Sequence, residues 1–512
     1  MAEAKNAASY FVDRHLTEGR GDKTAFVEAG GAGRRISYGD LSQRSGCVAD
    51  ALARIGMRRE ERAVMLVLDQ IEAPEIFWGC LKAGVVPVPL NTMLVADVYQ
   101  AILQDSRATC LFLSAELADT VLPAARQSPE LRDIIVIGDA PDGTTGYDAF
   151  LADTGPRAPV SVSPDDVAFW LYSSGSTGLP KGVKHVHSSL KETADTYGAQ
   201  VLGIRETDVI YSAAKIFFAY GLGNAMTFPM SVGATTVLFN ARPTPDAVTD
   251  ILATQKPSIF CGVPTLYAAL IAHLGKHGVP DAPLRVCISA GEALPAETGR
   301  TWQALWGVDI LDGVGSTEML HIFLSNAPGN LDYGTSGLAV PGYDLRLVDE
   351  TNVEVAPGEI GELLVRGASA SDGYWNQRAK SRATFLGDWT RTGDKYERRA
   401  DGRYVYCGRT DDMFKVSGQW VSPFEVEQAL TEHPAVLEAA VVAARDAEGL
   451  EKPKAYVVLT ENGPQDGAAL REELQRFVKE RVGMWKYPRW VELVSDLPKT
   501  ATGKIQRFRL RD

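Results

Sequence analysis

Short β-rich runs alternate with amphipathic stretches along the greater part of the chain. Helical patterns such as Asp40–Ile55 and Pro74–Ala83 separate several of these runs. Because strands that alternate with helices form sheets with crossover connections, the pattern predicts an α/β fold. The runs are Val64–Leu68, Cys110–Leu113, Ile134–Ile137, Val167–Tyr172, Thr235–Phe239, Ile259–Val263 and Leu284–Ser289.

The pattern changes twice in the rest of the chain. After about Gly337, glycine-rich turns separate short strands, as in GEIGELLVRG and DGRYVYCGRTDD. From about Asp411, two helix–strand pairs indicate a compact α+β module. We therefore predict a large α/β N-terminal domain of several subdomains, residues 1–410, with a β-rich subdomain at about 337–410. A small α+β C-terminal domain, residues 411–512, follows it.

Composition is that of an ordinary soluble protein. The chain has 512 residues, which is too long for one hydrophobic core. It is 45% hydrophobic and 23% charged, with a formal net charge of −13. This negative charge disfavours a general nucleic-acid-binding role, so we expect no nucleic-acid partner. An anionic ligand would have to be bound by local positive groups.

Cysteine usage and hydropathy indicate the cellular compartment of the protein. The six cysteines lack the spacing of a metal site, so we expect buried free thiols in a reducing compartment. The N-terminus has no apolar signal core, and we predict a cytoplasmic protein. Residues 216–239 are uncharged, but glycines and a proline interrupt them, so we expect no membrane span.

The segment YSSGSTGLPKGVKH, Tyr172–His185, combines glycines, hydroxyl side chains and two lysines. It is not the usual phosphate loop, because Pro180 precedes Lys181 and Gly182 follows it. It follows the strand predicted at Val167–Tyr172, and open α/β sheets bind ligands at the carboxyl ends of their strands. By composition alone such a segment is more often a flexible connection, but its ordered sequence is far more specific.

That ordered sequence resembles the phosphate loop of the adenylate-forming superfamily, which contains acyl-CoA synthetases, luciferases and peptide-synthetase adenylation domains. Further motifs of this superfamily recur in order over nearly the whole chain. They are GVPTLY at Gly262–Tyr267, SAGEAL at Ser289–Leu294, GVGSTEM at Gly313–Met319, RTGD at Arg391–Asp394, RTDDMFKVSG at Arg409–Gly418 and PKTATGKIQR at Pro498–Arg507.

The resemblance implies a two-step reaction that uses ATP, Mg²⁺ and CoA. A carboxylate attacks the α-phosphate of ATP to form an acyl-adenylate, and a thiol then displaces AMP. Cationic groups and Mg²⁺ would offset the repulsion between the two anionic substrates.

The superfamily's functional residues map onto this sequence in four sets. The β- and γ-phosphates would contact Ser174, Thr177 and Lys181. The α-phosphate would contact Thr317, Mg²⁺ would bind Glu318, and Lys504 would bridge the substrate carboxylate and the α-phosphate. Asp394 would bind the ribose hydroxyls with support from Arg409. The adenine site would be formed by Gly291, Glu292, Ala293, Asp312 and Gly313.

The acid pocket most resembles that of benzoate–CoA ligases and their hydroxybenzoate relatives. The resemblance rests on AAKIFFAYGLGNAMTFP together with GSTEMLHIFLSN. Many relatives have histidine where this chain has Phe218. We expect an aryl carboxylate to be the acid, because a flat ring gains from apolar and edge-to-face contacts. The pocket would be formed by Phe218, Ala219, Tyr220, Gly315, Ser316, His321 and Ile322.

The C-terminal domain would act in both half-reactions. In this superfamily it is mobile and rotates between two poses, and Asp411 matches the hinge. One pose would present Lys504 to the nucleotide. The other would present the segment around Lys415, Gly418 and Trp420 to CoA.

Three other functions remain open at this point. The acid could be another small carboxylic acid, alicyclic or short-chain. The thiol could belong to a carrier protein, although no carrier domain follows Asp512, which argues only against self-loading. A non-catalytic nucleotide-binding protein is disfavoured, because Lys181, Glu318 and Lys504 are all present. The assembly is left open, a homodimer included.

Overall fold

The computed structural model describes residues 6–173, 180–416, 419–460, 467–499 and 505–511. Contacts divide the chain into two units. The first comprises Met1–Asp344 and Val365–Thr390, and the second comprises Leu345–Leu364 and Arg391–Asp512. The predicted α/β class, with a large N-terminal domain and a smaller C-terminal one, is confirmed.

The predicted strands and helices are present, with ends displaced by a few residues. In chain order the strands are β1 Thr24–Glu28, β2 Arg35–Ser37, β3 Arg62–Leu66, β4 Val86–Pro89, β5 Cys110–Ser114, β6 Asp133–Ile137, β7 Thr145–Gly146, β8 Val167–Ser173, β9 Lys181–Val186, β10 Val209–Ser212, β11 Thr235–Leu238, β12 Ile259–Gly262, β13 Val286–Ser289, β14 Ile310–Gly315, β15 Ile322–Ser325, β16 Leu338–Ala339, β17 Asp344–Val348, β18 Ile360–Arg366, β19 Gly373–Tyr374, β20 Phe385–Leu386, β21 Trp389–Arg398, β22 Tyr404–Arg409, β23 Phe414–Val416, β24 Gln419–Val421, β25 Val436–Arg445, β26 Glu451–Leu459 and β27 Trp490–Leu493. The helices are α1 Arg14–Thr17, α2 Tyr38–Arg54, α3 Glu72–Ala83, α4 Ala96–Ser106, α5 Ala118–Ala125, α6 Tyr147–Phe150, α7 His187–Thr193, α8 Ala219–Leu222, α9 Phe228–Val232, α10 Pro245–Gln255, α11 Pro264–His277, α12 Ala296–Trp306, α13 Arg378–Thr384, α14 Pro423–Thr431 and α15 Gly467–Val482.

A nine-stranded sheet forms the centre of the first unit, in the order β16-β15-β14-β13-β12-β10-β11-β1-β2. Its strands are parallel from β14 to β1 and antiparallel at both ends. Helices α11 and α12 cover one face, where Trp302 and Tyr267 are fully buried against Phe260. Because β12, β13 and β14 are parallel, their carboxyl ends lie at one edge of the sheet.

A second sheet of the first unit has the order β4-β3-β5-β6-β7 and is parallel throughout. Its core is built from the aliphatic residues of β3, β4 and β5 with those of α4 and α5. Continuous apolar runs such as CLFLS in β5 are buried at every position, as in a sheet covered on both faces.

The strand before the glycine-rich segment departs from the prediction. We expected Val167–Tyr172 to belong to an open parallel sheet with a ligand at its carboxyl end. Instead β8 pairs antiparallel with β9 in a small sheet of order β19-β9-β8. The physical reason is that residues 181–186, KGVKHV, themselves form a strand that returns along β8, so the glycine-rich segment joins the two strands of a hairpin.

The second unit contains a three-stranded sheet in which β25 and β26 are antiparallel and β27 is parallel to β26. Helices α14 and α15 pack on one face through aliphatic residues such as Leu430 and Leu474. On the other face a smaller cluster joins Ala440, Val442 and Leu497. The unit also contains the hairpin of β23 and β24 and the pairing of β21 with β22.

Contacts place the division of the chain before the predicted boundary at residue 410. Residues 391–410 belong to the second unit. The reason is that β22 packs against α14, where the ring of Tyr406 meets Phe424 edge-on at 5.0 Å. The boundary at residue 410 was placed directly before the predicted hinge, Asp411. It therefore stays a prediction of where the C-terminal domain rotates.

All six cysteines are free thiols, and all but the partly exposed Cys47 are buried, as predicted. No helix within the described ranges combines the length and the apolar character needed to cross a membrane.

Candidate active site

The base of the glycine-rich hairpin is held on both strands. At its base Ser173 pairs with Lys181 across β8 and β9. The Tyr172 hydroxyl donates a hydrogen bond of 2.6 Å to Asp105, and the indole of Trp375 donates one of 2.8 Å to the Asp105 carbonyl. The predicted phosphate ligands Ser174 and Thr177 lie outside the described residues.

Lys181, Glu318 and Tyr374 form a compact polar cluster at this base. Lys181 Nζ lies 2.8 Å from Glu318 Oε1 and 2.8 Å from the Tyr374 hydroxyl. The same hydroxyl donates a 2.8 Å hydrogen bond to Glu318 Oε1, and Lys181 Nζ lies 4.2 Å from the centre of the Tyr374 ring. The structure thus brings together two residues that the sequence assigned to phosphate and to Mg²⁺.

Tyr374 was missed by the sequence analysis. It is 193 residues from Lys181 along the chain, and it reaches the cluster because β19 pairs with β9, opposite Val183. No local pattern marks it, since a Gly-Tyr pair in a turn-rich region is ordinary.

Glu318 is a largely buried carboxylate that stays ionised. Burial raises the pKa of Glu318, but the charge of Lys181 and the hydrogen bonds from Lys181 and Tyr374 outweigh this effect, so the pKa falls below its ordinary value. Carboxylate oxygens are also the ligands that a hard cation such as Mg²⁺ prefers.

Thr317 is positioned through its backbone by the hairpin. His185 on β9 donates from Nε2 to the Thr317 carbonyl at 2.8 Å. His185 is fully buried, and its Nδ1 has no hydrogen-bond partner within the part of the chain that the structure describes. Burial lowers the pKa of His185 to about 4, although the hydrogen bond to Thr317 opposes this shift.

The predicted adenine residues either follow the end of β13, as Gly291, Glu292 and Ala293 do, or lie within β14, as Asp312 and Gly313 do. Gly291 has a φ of +95° and open space where a side chain would be, so the backbone is accessible there. Asp312 is buried, and its Oδ1 has no partner among the described residues. Burial raises the pKa of Asp312 well above its ordinary value, although backbone N–H groups of Leu294 and Gly313 oppose the rise. Glu292 and Ala293 follow Gly291 and are partly exposed.

Tyr220 and His321 meet where we predicted the acid pocket. The Tyr220 hydroxyl lies 3.1 Å from the Gly262 carbonyl and 3.2 Å from the Ile288 carbonyl, at the ends of β12 and β13. His321 Nε2 donates to the Tyr220 carbonyl at 3.3 Å. These contacts fix the Tyr220 side chain beside the carboxyl edge of the parallel strands.

His321 is packed among aromatic rings. Its ring lies 4.5 Å from that of Phe228 in an edge-on arrangement and 5.2 Å from that of Tyr197. A Cβ added to Gly223 would lie 2.4 Å from His321 Cδ2, so only glycine fits opposite it. Burial lowers the pKa of His321 to about 3, and the imidazole is therefore neutral near pH 7.

Gly315 and Ser316 form a closely packed turn beside His321. A Cβ at Gly315 would lie 2.5 Å from the His321 carbonyl oxygen, so a larger residue would push β14 and β15 apart. Ser316 Oγ accepts a 3.2 Å hydrogen bond from the Met319 N–H. Ile322 is buried on β15, and its Cγ2 would lie 2.9 Å from a Cβ at Gly313.

The segment before Tyr220 is held by a buried carboxylate that the sequence analysis also missed. Both oxygens of Asp69 lie 3.3 Å from the Ile216 N–H. Burial raises the pKa of Asp69 to about 6, although the charge of Lys215 opposes the rise. Phe218 follows as the residue before α8, half-buried with its ring 4.5 Å from that of Phe217. The predicted pocket residue Ala219 is the first residue of α8, directly before Tyr220.

In the second unit, the predicted ribose ligand Asp394 is paired with Arg409. The two residues face each other on β21 and β22, with Arg409 Nη1 3.0 Å from Asp394 Oδ1. The charge of Asp394 raises the pKa of Arg409. Gly393 has a φ of +74°, and a Cβ there would lie 2.7 Å from Arg409 Nη2, so glycine lets the guanidinium lie across the turn.

The remaining predicted residues of the C-terminal domain are only partly described. Lys415 Nζ lies 3.6 Å from Glu350, and the backbone of Lys415 pairs with that of Trp420. The Asp411 carbonyl accepts a 3.0 Å hydrogen bond from Arg511. Gly418 and Lys504 lie outside the described residues.

Two family models match this chain. The model of AMP-binding enzymes covers residues 13–375, and the model of the AMP-binding enzyme C-terminal domain covers residues 425–504.

Curated and solved relatives match over nearly full length. The chain is 53% identical to the 4-hydroxybenzoate–CoA/benzoate–CoA ligase of Rhodopseudomonas palustris, over 99% of this chain and 94% of that protein. It is 51% identical to the benzoate–CoA ligase of Thauera aromatica, over 100% of this chain and 96% of that protein. Among solved structures, a benzoate CoA ligase from Burkholderia xenovorans is similar with a TM-score of 0.91 and 46% identity, covering 99% of this chain and 100% of that one.

The buried His185 makes the large domain sensitive to acid. A histidine whose pKa falls on folding contributes stability that is complete above its unfolded pKa of 6.5 and is lost as pH falls towards its folded pKa of about 4. Between pH 7 and pH 5 this loss amounts to about 2 kcal/mol. His185→Gln removes the titrating group and keeps an N–H donor for the Thr317 carbonyl.

We therefore expect the free energy of unfolding of His185→Gln to fall less than that of the wild type between pH 7 and pH 5. Chemical denaturation at both pH values measures the difference. Parallel losses in the two proteins would show that His185 is not the group that takes up the proton.

Proposed function

The chain belongs to the family of AMP-binding enzymes, within the adenylate-forming superfamily, and from this membership we propose that it is an ATP-dependent aryl-CoA synthetase. It is an AMP-forming acid–thiol ligase whose acid is benzoate or a small substituted benzoate. The observation that carries the proposal is the full-length similarity, at 51–53% identity, to ligases named for benzoate and 4-hydroxybenzoate. The aromatic surroundings of Tyr220 and His321 support the choice of acid.

In the first half-reaction an oxygen of the aryl carboxylate attacks the α-phosphorus of ATP. The bond from that phosphorus to the bridging oxygen breaks, and pyrophosphate leaves with the electron pair. Lys181 binds the β- and γ-phosphates together with Ser174 and Thr177. Lys504 bridges the carboxylate and the α-phosphate, where its ammonium offsets the charge of two anions.

Lys181 exchanges partners when ATP binds. Its ammonium is paired with Glu318 and Tyr374 at 2.8 Å, and the triphosphate supplies stronger anionic partners. Glu318 is then available to a cation. Mg²⁺ commonly binds proteins through one or two carboxylates and completes its coordination with substrate phosphates and water, and the partly exposed carboxylate of Glu318 fits that pattern. When bound, Mg²⁺ neutralises developing phosphate charge.

The nucleoside is bound by the residues predicted for the ribose and by those predicted for the adenine. Asp394 accepts hydrogen bonds from the ribose hydroxyls, with Arg409 fixing its carboxylate. The adenine lies against Gly291, Glu292, Ala293, Asp312 and Gly313. The open backbone at Gly291 supports this role, because a side chain there would intervene between the strand end and a flat base.

The aryl ring lies against the wall formed by Tyr220, with Gly315 and Ser316 as a thin floor. His321 and Ile322 border the far edge of the ring, and Phe218 and Ala219 border the carboxylate end. The missing Cβ of Gly315 supports a thin floor, because the backbone of Gly315 already contacts that of His321 and leaves no room for a side chain.

In the second half-reaction the CoA thiolate attacks the acyl carbon, and AMP leaves. The C-terminal domain, residues 411–512, turns about Asp411 between the steps and brings Lys415, Gly418 and Trp420 to the CoA side. Loading of a carrier-protein thiol is disfavoured, because the ligases with 51–53% identity are named for CoA. A cytoplasmic location stays a prediction, and the assembly stays open, a homodimer included.

A panel of acids tests the proposed substrate. Benzoate and small ring-substituted benzoates should be activated with higher kcat/KM than acetate or palmitate. Burial of the ring favours aryl acids by about 25 cal/mol per Å² over acetate, and the Tyr220 wall obstructs long chains. AMP release with CoA present measures the rates. A preference for acetate, or efficient use of palmitate, would contradict the pocket.

Lys504→Ala tests the division of labour between the half-reactions. We expect pyrophosphate exchange to fall about a hundredfold or more, because one transition-state charge contact is lost. Thioester formation from supplied benzoyl-AMP should be nearly unchanged. Equal losses in both assays would refute the assignment of Lys504 to the first step.

Tyr374→Phe tests the role of the polar cluster. The variant keeps the ring under Lys181 but loses the hydroxyl that contacts both charged groups, so KM for MgATP should rise about tenfold. KM for benzoate should be unaffected. Tyr333→Phe is the matched control, because its hydroxyl contacts Asp309 away from this cluster. Equal effects of the two changes on KM for MgATP would argue against a role of Tyr374 in nucleotide binding.

A further inference from the structure

A buried ion pair in the second unit joins the end of the chain to helix α14. Arg507 Nε donates to Glu427 Oε1 at 2.8 Å, and Arg507 Nη2 donates to Glu427 Oε2 at 2.6 Å. This two-point arrangement fixes both the position and the orientation of the guanidinium. Glu427 is 6% exposed, and its Oε1 also accepts a 2.8 Å hydrogen bond from the Val441 N–H.

The same arginine also reaches the residue that follows the predicted hinge. Arg507 Nη1 lies 3.5 Å from Asp412 Oδ2. A second arginine, Arg511, donates to the Asp411 carbonyl at 3.0 Å and to Asp412 Oδ1. The last residues of the described chain are therefore held against Asp411 and Asp412 at two points.

The chain before Lys504 is anchored as well. Lys499 Nζ lies 2.7 Å from Glu438 Oε2, and the backbone of Lys499 forms a β-bridge with Ile505. The Gln506 N–H donates to the Pro498 carbonyl at 2.7 Å. The described residues on both sides of Lys504 in the sequence are thus anchored, at Lys499 on one side and at Arg507 on the other.

We propose that Arg507 is a positioning residue for the first half-reaction. By binding both Glu427 and Asp412, it connects the chain that follows Lys504 to the residue directly after the predicted hinge, Asp411. The inference rests on the proposed role of Lys504. A lysine side chain is long and flexible, so its ammonium is placed accurately only if the backbone on both sides is held. A small displacement of such a group is enough to lower the rate of a reaction that depends on orientation.

The contacts of Arg507 with Glu427 and Asp412 also couple the position of Lys504 to the proposed rotation at Asp411. Arg507 binds Asp412, and Arg511 binds both Asp411 and Asp412. The backbone after Lys504 therefore rotates together with these two residues. Loss of Arg507 removes the side-chain connection to Glu427 and Asp412, while the backbone contacts of Ile505 and Gln506 with Lys499 and Pro498 and the contacts of Arg511 stay in place.

A purely structural role is the competing explanation. Removing one partner of a buried ion pair leaves the other charge uncompensated, which destabilises a domain whatever its function. The two explanations differ in what they predict for the half-reactions. Positioning of Lys504 affects adenylation and spares thioester formation from a preformed adenylate, whereas general loss of structure affects both.

The experiment compares Arg507→Ala with Arg509→Ala in the full-length enzyme. Arg509 is an exposed neighbour on the same short segment and serves as the matched control. We expect Arg507→Ala to lower benzoate-dependent pyrophosphate exchange about thirtyfold or more and to change thioester formation from supplied benzoyl-AMP less than about threefold. Arg509→Ala should match the wild type in both assays, and Arg507→Lys, which keeps one charged contact to Glu427, should recover part of the exchange rate.

If Arg507→Ala does not fold, the double variant Glu427→Gln/Arg507→Met provides the test. It removes both charges together and keeps an acceptor for the Val441 N–H, so it avoids an unpaired buried carboxylate. A folded double variant, judged by its melting temperature, should show the same selective loss of exchange.

Normal exchange in a folded Arg507 variant, or equal losses in both half-reactions, would overturn the positioning role. Failure of the wild type to form benzoyl-AMP would instead overturn the proposed function itself.

Discussion

The largely buried carboxylate of Glu318 stays ionised because the Lys181 ammonium lies beside it and the Tyr374 hydroxyl donates to it. The remaining architecture of the candidate active site follows from bringing these two groups together. Lys181 stands at the start of β9, and Glu318 follows the end of β14, so two different sheets must meet at this point. The β19 strand then adds the Tyr374 hydroxyl, which contacts both charges. This ion pair is thus made of the groups proposed to bind phosphate and Mg²⁺.

The acid side of the site depends on close backbone approach. Gly315 and Gly223 both lie against His321, and neither position has room for a Cβ. A neutral His321 is the consequence of this packing, because an imidazolium would have no charged partner among its aromatic neighbours. The buried Asp69 completes the arrangement from the second parallel sheet, by holding the N–H of Ile216 at the start of the pocket segment.

The C-terminal domain combines a conventional core with an unusual concentration of charge near its predicted hinge. Aliphatic residues of β25, β26 and the two helices form the core, as in any small α+β domain. Arg507 and Arg511 instead pair with Glu427, Asp411 and Asp412. Ion pairs of this kind add little to stability compared with apolar packing, but they define geometry well. That property suits a domain proposed to present one lysine at a defined place.

The sequence by itself determined the α/β class, the positions of most strands and helices, and membership of the family. Apolar runs and ordered motifs are local properties, and local properties can be read without coordinates. The motifs contain Lys181, Glu318 and Asp394, yet nothing in them required Lys181 and Glu318 to form an ion pair. Only the tertiary structure decided that β8 and β9 form a hairpin rather than part of a parallel sheet, and that Tyr374 and Asp69 belong to the site. The physical reason is that strand pairing and burial join residues far apart in the chain, and the energy of such contacts depends on surroundings that no short segment contains.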